Sequence, residues 1–456
     1  MRISLYLKYN YLTFLLLLCL TTGCKKYLDE KPRKNLTVPS TLKDLQALLD
    51  ENNTMNIGQA NVSDAGTDDY YLTMEDWNSL ENDGDRNSYI WGDELFYNSP
   101  NNQWQILYKQ VYTANVVLEF VDKVQPGEDM VTRNKIKAAA LFLRARAHFT
   151  VLMTWAKAYS SNSASNDPGI PLRLLSDFNI PSKRSSIEQC YDQILTDLTT
   201  SISIFPVVKE HVMRPSKAAA WALIARVYLN KADYVNSLKA AEESLKLNDN
   251  LMDFNTIDSS STYPIPRFNS EILFSCSGGW RTLYNFTAKI DTVLFRMYED
   301  NDLRKSLFYA TNENGTKAFR GSYDGSFDFF LGLATDEIYL IKAECQVRLG
   351  NIESGLQTLN QLLVKRYKSG TYINKSGLDK VVALQTIINE RRKELLMRDI
   401  RWQDIKRLNI DNSLQPITIK RIIGTNTYEL KPNDPRYALP IPTVVISLTG
   451  ISQNPR

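Results

Sequence analysis

Hydrophobic positions recur at helical spacing over most of the chain from Gln103 onward. Between residues 138 and 159 they follow one another in steps of three and four, which predicts a long helix with one buried face. Similar spacing predicts a helix over residues 220–228 and a second one that ends near Leu247. The sequence therefore predicts a mainly all-α protein. The first stripe consists of Ala138, Leu141, Ala145, His148, Leu152, Trp155 and Tyr159.

Two helix starts carry a capping signal. Thr41 precedes Asp44 by three residues, and Ser185 precedes Glu188 in the same way. At this spacing the hydroxyl oxygen can accept a hydrogen bond from a free backbone amide, and an acidic residue suits the helix N-terminus. Pro206 is expected to close the second of these helices, because proline cannot continue one.

The pair of helices ending near Leu247 has the character of a repeat. Its large, small and aromatic positions follow the tetratricopeptide pattern. The same pattern, which we call the frame, recurs 118 residues further on, so that Tyr339 is equivalent to Trp221. Small residues in this frame allow two antiparallel helices to approach closely. We therefore expect tetratricopeptide-like helical hairpins that form one large domain. The second copy of the frame has Tyr339, Ala343, Gly350, Gly355 and Leu359 at the equivalent places.

Two regions interrupt the helical pattern. Residues 51–100 and 248–331 are rich in Asn, Gly and aromatic residues and show no helical period, so both are predicted to be long loop insertions.

The N-terminus is typical of an exported protein. Arg2 and Lys8 precede the apolar residues 11–20 (YLTFLLLLCL), a run too short to span a bilayer. Thr21, Thr22 and Gly23 then stand directly before Cys24, as in a bacterial lipobox. We therefore predict a lipoprotein signal peptide over residues 1–23, lipidation at Cys24, and a polar tether over residues 24–39. The alternative is an ordinary signal peptide that is cut elsewhere.

Charge and composition argue against several classes of protein. The chain has 54 Lys and Arg against 51 Asp and Glu, a net charge of +3, so it lacks the basic character of a nucleic-acid-binding protein. It has only two histidines, which argues against a histidine-built metal site. Cys190, Cys276 and Cys345 are far apart, and we expect them to be small buried hydrophobic residues.

Short motifs along nearly the whole chain resemble the SusD/RagB family. Residues 24–32 (CKKYLDEKP) look like the mature start of that family, and residues 143–149 (LRARAHF) look like one of its helices. Arg401-Trp402-x-Asp404 followed by Lys406-Arg407 fits its most diagnostic segment, although Asp399-Ile400 stands where Glu-Gly is common. Residues 439–442 (LPIP) and 453–455 (QNP) are similar to its closing motifs.

This resemblance implies a nutrient-binding lipoprotein of the outer membrane, facing the cell exterior. Such a protein captures oligosaccharides or similar polymers and passes them to a partner SusC-like TonB-dependent barrel. The resemblance implies a SusD-like N-terminal region over residues 40–215 and a SusD/RagB C-terminal region over residues 216–456. It implies neither catalysis nor a cofactor, and it carries over no fixed ligand site.

The candidate ligand contacts lie in the two insertions. Aromatic rings can stack on the apolar face of a sugar ring while carboxylates and amides bind its hydroxyl groups. The alternative is that these rings attach the insertions to the helices. The candidates are Asp68, Asp69, Tyr70, Trp77, Trp91, Trp280, Tyr284 and Asn285.

A string of oxygen-bearing residues in the first insertion is spaced like an EF-hand calcium loop. Asp83, Asp85, Asn87 and Glu94 stand at its positions one, three, five and twelve. Ser88 replaces the glycine that the turn needs, and no helical period precedes the string, which argues against a metal site.

No nucleophile elbow, phosphate-binding glycine loop or zinc-binding helix motif is found in the sequence. Two other functions stay open. A glycoside hydrolase needs only two suitably spaced carboxylates, which a polar loop can supply. A tetratricopeptide-type scaffold would bind a protein or peptide along a groove between its helices. Arg401 and Asp404, at helical spacing, are expected to stabilise the structure as an ion pair.

Overall fold

A computed structural model describes residues 39–59, 61–96, 102–124, 129–206 and 210–456. Residues from Thr41 to Arg456 form one compact unit. The predicted signal peptide, Cys24 and the tether up to residue 38 lie outside the described residues.

The described chain is mainly helical, which confirms the predicted fold class. In that part of the chain, no helix combines the length and the apolar composition that crossing a bilayer requires. The helices are α1 (Leu42–Leu49), α2 (Asn52–Met55), α3 (Met74–Ser79), α4 (Asp83–Ile90), α5 (Gln103–Phe120), α6 (Met130–Trp155), α7 (Ile187–Ile204), α8 (Lys217–Asn230), α9 (Tyr234–Leu247), α10 (Thr292–Arg296), α11 (Arg304–Leu307), α12 (Thr335–Arg348), α13 (Ile352–Leu363), α14 (Lys380–Glu394), α15 (Arg401–Ile410) and α16 (Thr443–Thr449).

Local capping explains where several helices begin. The Thr41 hydroxyl accepts a hydrogen bond from the Asp44 amide, and the Asp44 carboxylate accepts one from the Thr41 amide, as predicted. The predicted cap at Ser185 is wrong by one residue. Ser186 caps α7 and pairs with Gln189 instead, because the extended backbone of a short strand continues up to Ser186.

Helices that are consecutive in sequence pack against each other in antiparallel pairs. Helix α6 packs between α5 and α7, while α8 packs on α9 and α12 on α13. The two last pairs are those of the predicted repeat. Gly355 in α13 shows why small residues recur there, since a Cβ atom at this position would lie 2.6 Å from Val347 Cγ2 and 2.9 Å from the Ala343 carbonyl oxygen. Helix α6 ends at Trp155, so Tyr159 lies beyond the helix that its spacing predicted.

The strands are short and form six two-stranded antiparallel pairs in the described residues: β1 with β6, β2 with β3, β4 with β10, β5 with β9, β7 with β8, and β11 with β12. Their bounds are β1 (Tyr70–Tyr71), β2 (Pro168–Pro171), β3 (Arg184–Ser186), β4 (Ile272–Phe274), β5 (Ser277–Gly278), β6 (Lys289–Ile290), β7 (Tyr309–Thr311), β8 (Lys317–Phe319), β9 (Phe329–Phe330), β10 (Leu333–Ala334), β11 (Ile419–Ile423) and β12 (Asn426–Leu430).

The first insertion is more ordered than its sequence predicted. Three short helices, α2, α3 and α4, lie in the region that we expected to be loop. The Thr73 hydroxyl caps α3 and the Asn82 side chain caps α4. None of these helices exceeds eight residues, and so short a segment shows no clear hydrophobic period.

Several single residues behave as core residues. Cys190, Cys276 and Cys345 are buried and unpaired, as predicted. His148 is fully buried, and burial lowers its pKa to about 3, so it is neutral at physiological pH. Neither of its ring nitrogens has a hydrogen-bond partner among the described residues.

Candidate functional site

The two insertions meet in the structure, although 192 positions separate Ser88 from its hydrogen-bond partner Trp280. Tyr70 in β1 pairs with Ile290 in β6. The indole nitrogen of Trp280 donates a hydrogen bond of 2.9 Å to the Ser88 hydroxyl, and the Trp280 ring lies 5.9 Å from that of Phe96. The two segments that carry the candidate contacts therefore lie against each other in the fold.

The predicted acidic contacts are engaged within the protein. The Asp68 carboxylate accepts two hydrogen bonds of 2.8 Å from the Arg401 guanidinium, and Asp69 accepts one of 2.8 Å from Arg392. Burial raises the pKa of Asp68, but the positive charges of Arg392 and Arg401 outweigh it and hold that pKa well below its usual range. These carboxylates attach the first insertion to helices α14 and α15, and we do not place them in contact with a ligand.

Two of the predicted aromatic contacts are also core residues. Tyr70 is buried, and its hydroxyl donates a hydrogen bond of 2.7 Å to the Ala65 carbonyl oxygen. Trp91 is buried as well, and its indole nitrogen donates one of 3.0 Å to the Gly66 carbonyl oxygen. Their side chains fill the space beneath the first insertion, which excludes direct stacking on a ligand at the surface.

Exposed aromatic rings gather around Tyr284 instead. The Tyr284 ring stacks on that of Phe286 with centroids 5.6 Å apart, and the centroid of the tilted Phe327 ring lies 5.8 Å from that of Tyr284. Phe286 is 65% exposed and Phe327 58% exposed, whereas Tyr284 is half-buried. We call Tyr284, Phe286 and Phe327 the aromatic platform. Exposed rings of this kind offer flat apolar faces to a ligand.

The base of the platform is fixed from below. Phe329 in β9 is buried and stacks on Tyr284 with a centroid distance of 5.6 Å. Gly279 passes so close that a Cβ atom there would lie 2.5 Å from the Tyr284 hydroxyl oxygen. The Tyr284 ring is therefore held in one orientation, and a platform that is already ordered loses little entropy when a ligand binds.

A carboxylate adjoins these rings. The Tyr284 hydroxyl donates a hydrogen bond of 3.2 Å to Asp328 Oδ1. Burial, together with the negative charge of Asp328, raises the pKa of Tyr284 to about 12, so the hydroxyl keeps its proton at physiological pH. Burial likewise raises the pKa of Asp328. The half-buried Asn285 comes between two platform residues in sequence. The site thus combines apolar faces with groups that bind hydroxyls.

Of the aromatic platform and the adjoining Asn285, the sequence predicted Tyr284 and Asn285 as candidates but not Phe286 and Phe327. Phe327 stands in the segment 325–328 (GSFD), where a large apolar residue among turn-forming residues is a signal that could have been used. Trp77 and Trp280 are both half-buried, and the ring of Trp77 lies 5.9 Å from that of Tyr89.

The calcium-like string does not form a metal-binding loop. Residues Asp83–Ile90 form helix α4, which turns successive side chains away from a common centre. Asp83 is exposed and pairs with Arg86 at 2.8 Å, Asp85 accepts a hydrogen bond of 2.9 Å from Asn82, and Asn87 donates one of 2.8 Å to the Glu94 carbonyl oxygen. Within the described ranges, no group of three or more His, Cys, Asp or Glu residues could hold a metal ion.

The charged cluster near the C-terminus is structural. Arg401 pairs with Asp68 and not with Asp404, so our expectation of an Arg401–Asp404 pair is wrong. Asp404 accepts hydrogen bonds of 2.8 Å from both Arg391 and Arg407. Arg391, Arg401, Asp404 and Arg407 are all buried and engaged in ion pairs within the protein, which is the arrangement of a framework and not of a site open to substrate.

Comparison with known proteins identifies the class to which this fold and site belong. The chain belongs to the SusD/RagB family, since residues 26–229 match the family described as starch-binding and associating with the outer membrane, and residues 335–456 match the SusD family. A SusD-like protein of Formosa agariphila is 26% identical over 517 residues, spanning 94% of this chain and 96% of its own.

Solved structures show the same fold. A SusD superfamily protein from Bacteroides thetaiotaomicron has a TM-score of 0.70 at 22% identity, covering 91% of this chain and 100% of its own. A SusD-like carbohydrate-binding protein from Bacteroides vulgatus has a TM-score of 0.70 at 19% identity, covering 90% of this chain and 97% of its own. These likenesses confirm the tetratricopeptide-like helical architecture.

Proposed function

We propose that this protein binds a glycan at the cell surface on its aromatic platform and delivers it to a SusC-like TonB-dependent transporter. The observation that carries the proposal is the exposure of Phe286 and Phe327 beside Tyr284 and Asp328. Stacked rings next to a carboxylate suit a sugar, which has an apolar face and a belt of hydroxyl groups. Trp77, Trp280 and Asn285 keep partial exposure, and we propose them as additional contacts.

Family membership supports the glycan and the cellular location. The matched family is described as starch-binding and associating with the outer membrane, and a structural neighbour is described as carbohydrate-binding. We propose that lipidation at Cys24 anchors the protein to the outer membrane with the platform facing outward, and that it acts as a binding protein and not as an enzyme.

The platform is tested by two single substitutions, Phe286→Ala and Phe327→Ala. A glycan array first identifies a ligand, and isothermal titration then measures its affinity. Because an aromatic contact is worth roughly 0.5–1.5 kcal/mol beyond area burial, each substitution should weaken binding about two- to tenfold. The thermal midpoint should stay unchanged, since both rings are largely exposed.

Ile373→Ala is the matched control, because Ile373 is 81% exposed but lies outside both insertions. Wild-type affinity in both platform variants would contradict the assignment. Recovery of the bound oligosaccharide as shorter products would favour the glycoside hydrolase, and binding of peptides in place of glycans would favour the scaffold.

Delivery to a transporter is tested separately by affinity purification from native membranes in mild detergent. We expect a large TonB-dependent barrel to be recovered with the protein. Repeated recovery of the protein alone would argue against this partner, while leaving glycan binding intact.

A further inference from the structure

The loop between β2 and β3 is ordered although it lies at the surface. Arg173 directs its guanidinium back into this loop, with Nη2 donating a hydrogen bond of 2.6 Å to the Asp177 carbonyl oxygen and Nη1 bonding that of Ile180. The Asn115 side chain donates to the carbonyl oxygens of Arg173 and Leu175 at 3.0 and 3.1 Å. The backbone of the loop is therefore held in place by hydrogen bonds from the side chains of Arg173 and of Asn115 in α5.

This ordered loop presents large apolar side chains to solvent. Phe178 is 81% exposed, and Leu175 is exposed beside it. A groove of about 310 Å³ separates this loop from helix α16. No residue of α16 is buried, and Leu448 in this helix is 80% exposed. Tyr112 of α5 forms part of the groove wall. We call Tyr112, Leu175, Phe178 and Leu448 the apolar patch.

It is unusual for several large apolar side chains to be exposed together on the surface of a monomer. Scattered apolar residues at a protein surface are normal, but contiguous apolar patches mark sites that contact a membrane or another molecule. The loop carries its apolar side chains outward on a bonded backbone, so flexibility does not account for their exposure.

The charges around the apolar patch are mostly positive. Arg184 donates hydrogen bonds to the carbonyl oxygens of Gly169, Pro168 and Ser452, and Arg173 donates to carbonyl and hydroxyl oxygens. The acceptors that the structure gives for these two guanidinium groups are carbonyl and hydroxyl oxygens.

Lys183 is exposed in the same loop. Arg173, Arg184 and Lys183 thus supply three positive charges, and the Asp177 carboxylate supplies one negative charge. The nearby Glu119 is already paired with Lys123 at 3.3 Å. The local balance is therefore positive.

We propose that the apolar patch seats on a bilayer surface that contains anionic lipid headgroups. Phe178, Leu175 and Leu448 would enter the boundary between headgroups and acyl chains, where phenylalanine and leucine are favoured. The exposed Lys183 would face the headgroup charges, which attract Lys and Arg that lie within a Debye length. Arg173 and Arg184, whose guanidinium groups are bonded to backbone carbonyl oxygens, would add to the local positive charge. Charge complementarity favours a lipid surface over an uncharged partner.

This inference goes beyond the proposed function and does not rest on it. A lipid anchor at one end of the chain restrains distance from the membrane but not orientation, whereas a second contact through the patch fixes which side of the protein faces the bilayer. Glycan binding and patch binding are measured by different assays, so one can fail while the other holds.

The test uses the chain from residue 25 onward, which lacks both the apolar run of the predicted signal peptide and the predicted acyl anchor. Sedimentation measures its binding to vesicles of phosphatidylcholine alone and of phosphatidylcholine mixed with phosphatidylglycerol. We expect binding that is stronger to the mixed vesicles and that weakens as salt is added. Adding Leu175→Ser and Phe178→Ser together should reduce vesicle binding at least about tenfold, because two apolar side chains no longer leave water.

Two further variants identify the forces involved. Lys183→Glu should weaken binding to the mixed vesicles and leave binding to phosphatidylcholine alone unchanged. Ile373→Ser is the matched control, since Ile373 is as exposed as Phe178 but lies elsewhere, and it should bind vesicles like the parent chain. Thermal midpoints measured on all variants confirm that they are folded.

The proposal is overturned if the parent chain binds neither kind of vesicle, or if the Leu175→Ser, Phe178→Ser variant binds as well as the parent. Recovery of a second copy of the chain, or of a barrel protein, in a complex that depends on Phe178 while vesicles stay unbound would also overturn it, because a protein would then cover the patch.

Discussion

Trp91 shows how one tryptophan among several can differ in role. From its place in an aromatic loop it was predicted to contact the ligand, but its ring is buried and its indole nitrogen is bonded to Gly66. Arg421 lies over the same ring at 5.7 Å. The residue therefore stabilises the first insertion, and its contribution should appear in unfolding and not in binding.

We expect Trp91→Ala to lower the free energy of unfolding by about 3–5 kcal/mol, because removing a large buried ring leaves a cavity. Affinity for the glycan should change little in the folded fraction. Urea unfolding and isothermal titration measure the two quantities, and Phe286→Ala should show the opposite pattern. A Trp91→Ala protein with wild-type stability would mean that this ring is not part of the core.

Glu344 gives a pH-dependent prediction. Its carboxylate is fully buried and accepts hydrogen bonds of 2.6 Å from Arg407 and 2.8 Å from Arg348. Burial raises its pKa, but the charges of Arg407 and then Arg348 outweigh burial and lower the pKa from 4.5 to about 2. The folded protein therefore prefers the ionised form more strongly than the unfolded chain does.

A carboxyl group with a lowered folded-state pKa contributes stability above its unfolded pKa and loses it as the pH falls through the folded value. A shift of this size corresponds to about 3 kcal/mol. The stability difference between wild type and Glu344→Gln should therefore shrink as the pH is lowered from 4.5 to about 2.

Urea unfolding across that range measures this difference, with the exposed Glu313→Gln as control. A difference that does not change with pH would show that the ion pairs of Glu344 do not form.

At the level of elements, the helical hairpins depend on small residues where two helices touch. A side chain at Gly355 would meet Val347 of the neighbouring helix and the Ala343 carbonyl oxygen. We expect Gly355→Val to lower the free energy of unfolding by about 1–3 kcal/mol through overpacking. Thermal and urea unfolding measure the effect.

Gln357→Val is the matched control for this prediction, because Gln357 lies in the same helix but is exposed. It should change stability by no more than about 0.5 kcal/mol. If both substitutions are equally mild, the close approach of α12 and α13 at Gly355 would be contradicted.

Helix ends could be predicted from sequence because capping involves residues only three apart. The Thr41 box forms as expected, and the error at α7 is a shift of one residue, from Ser185 to Ser186. The short helices α3 and α4 were missed although Thr73 and Asn82 cap them in the same way. Their apolar spacing is too brief to show a period, so only the caps carried the signal.

At the level of the whole molecule, the proposed membrane anchor is Cys24, which lies outside the described residues. We expect the wild-type protein to sediment with outer membranes and Cys24→Ala to be released in soluble form, since the acyl chains of a lipoprotein hold it in the bilayer. Cys19→Ala should behave like wild type, because Cys19 precedes the predicted cleavage site. Subcellular fractionation with immunoblotting measures both, and membrane retention of Cys24→Ala at high salt would contradict lipidation at this residue.

The family, the helical architecture and the repeat pattern followed from sequence alone. Each depends on a pattern that is local or on the order of motifs along the chain. Local patterns survive folding because backbone geometry decides which residues share a face and which amides need a cap.

Only the tertiary structure decided which of the candidate side chains are exposed and which are engaged within the protein. Asp68 looked like a ligand contact because no nearby residue in sequence accounts for its charge, yet Arg401, 333 positions away, bonds it. Phe286 looked no different from the buried aromatics around it, but the fold leaves it uncovered. Whether a side chain is a core residue or a binding residue depends on what packs over it, and sequence spacing carries no record of contacts between distant segments.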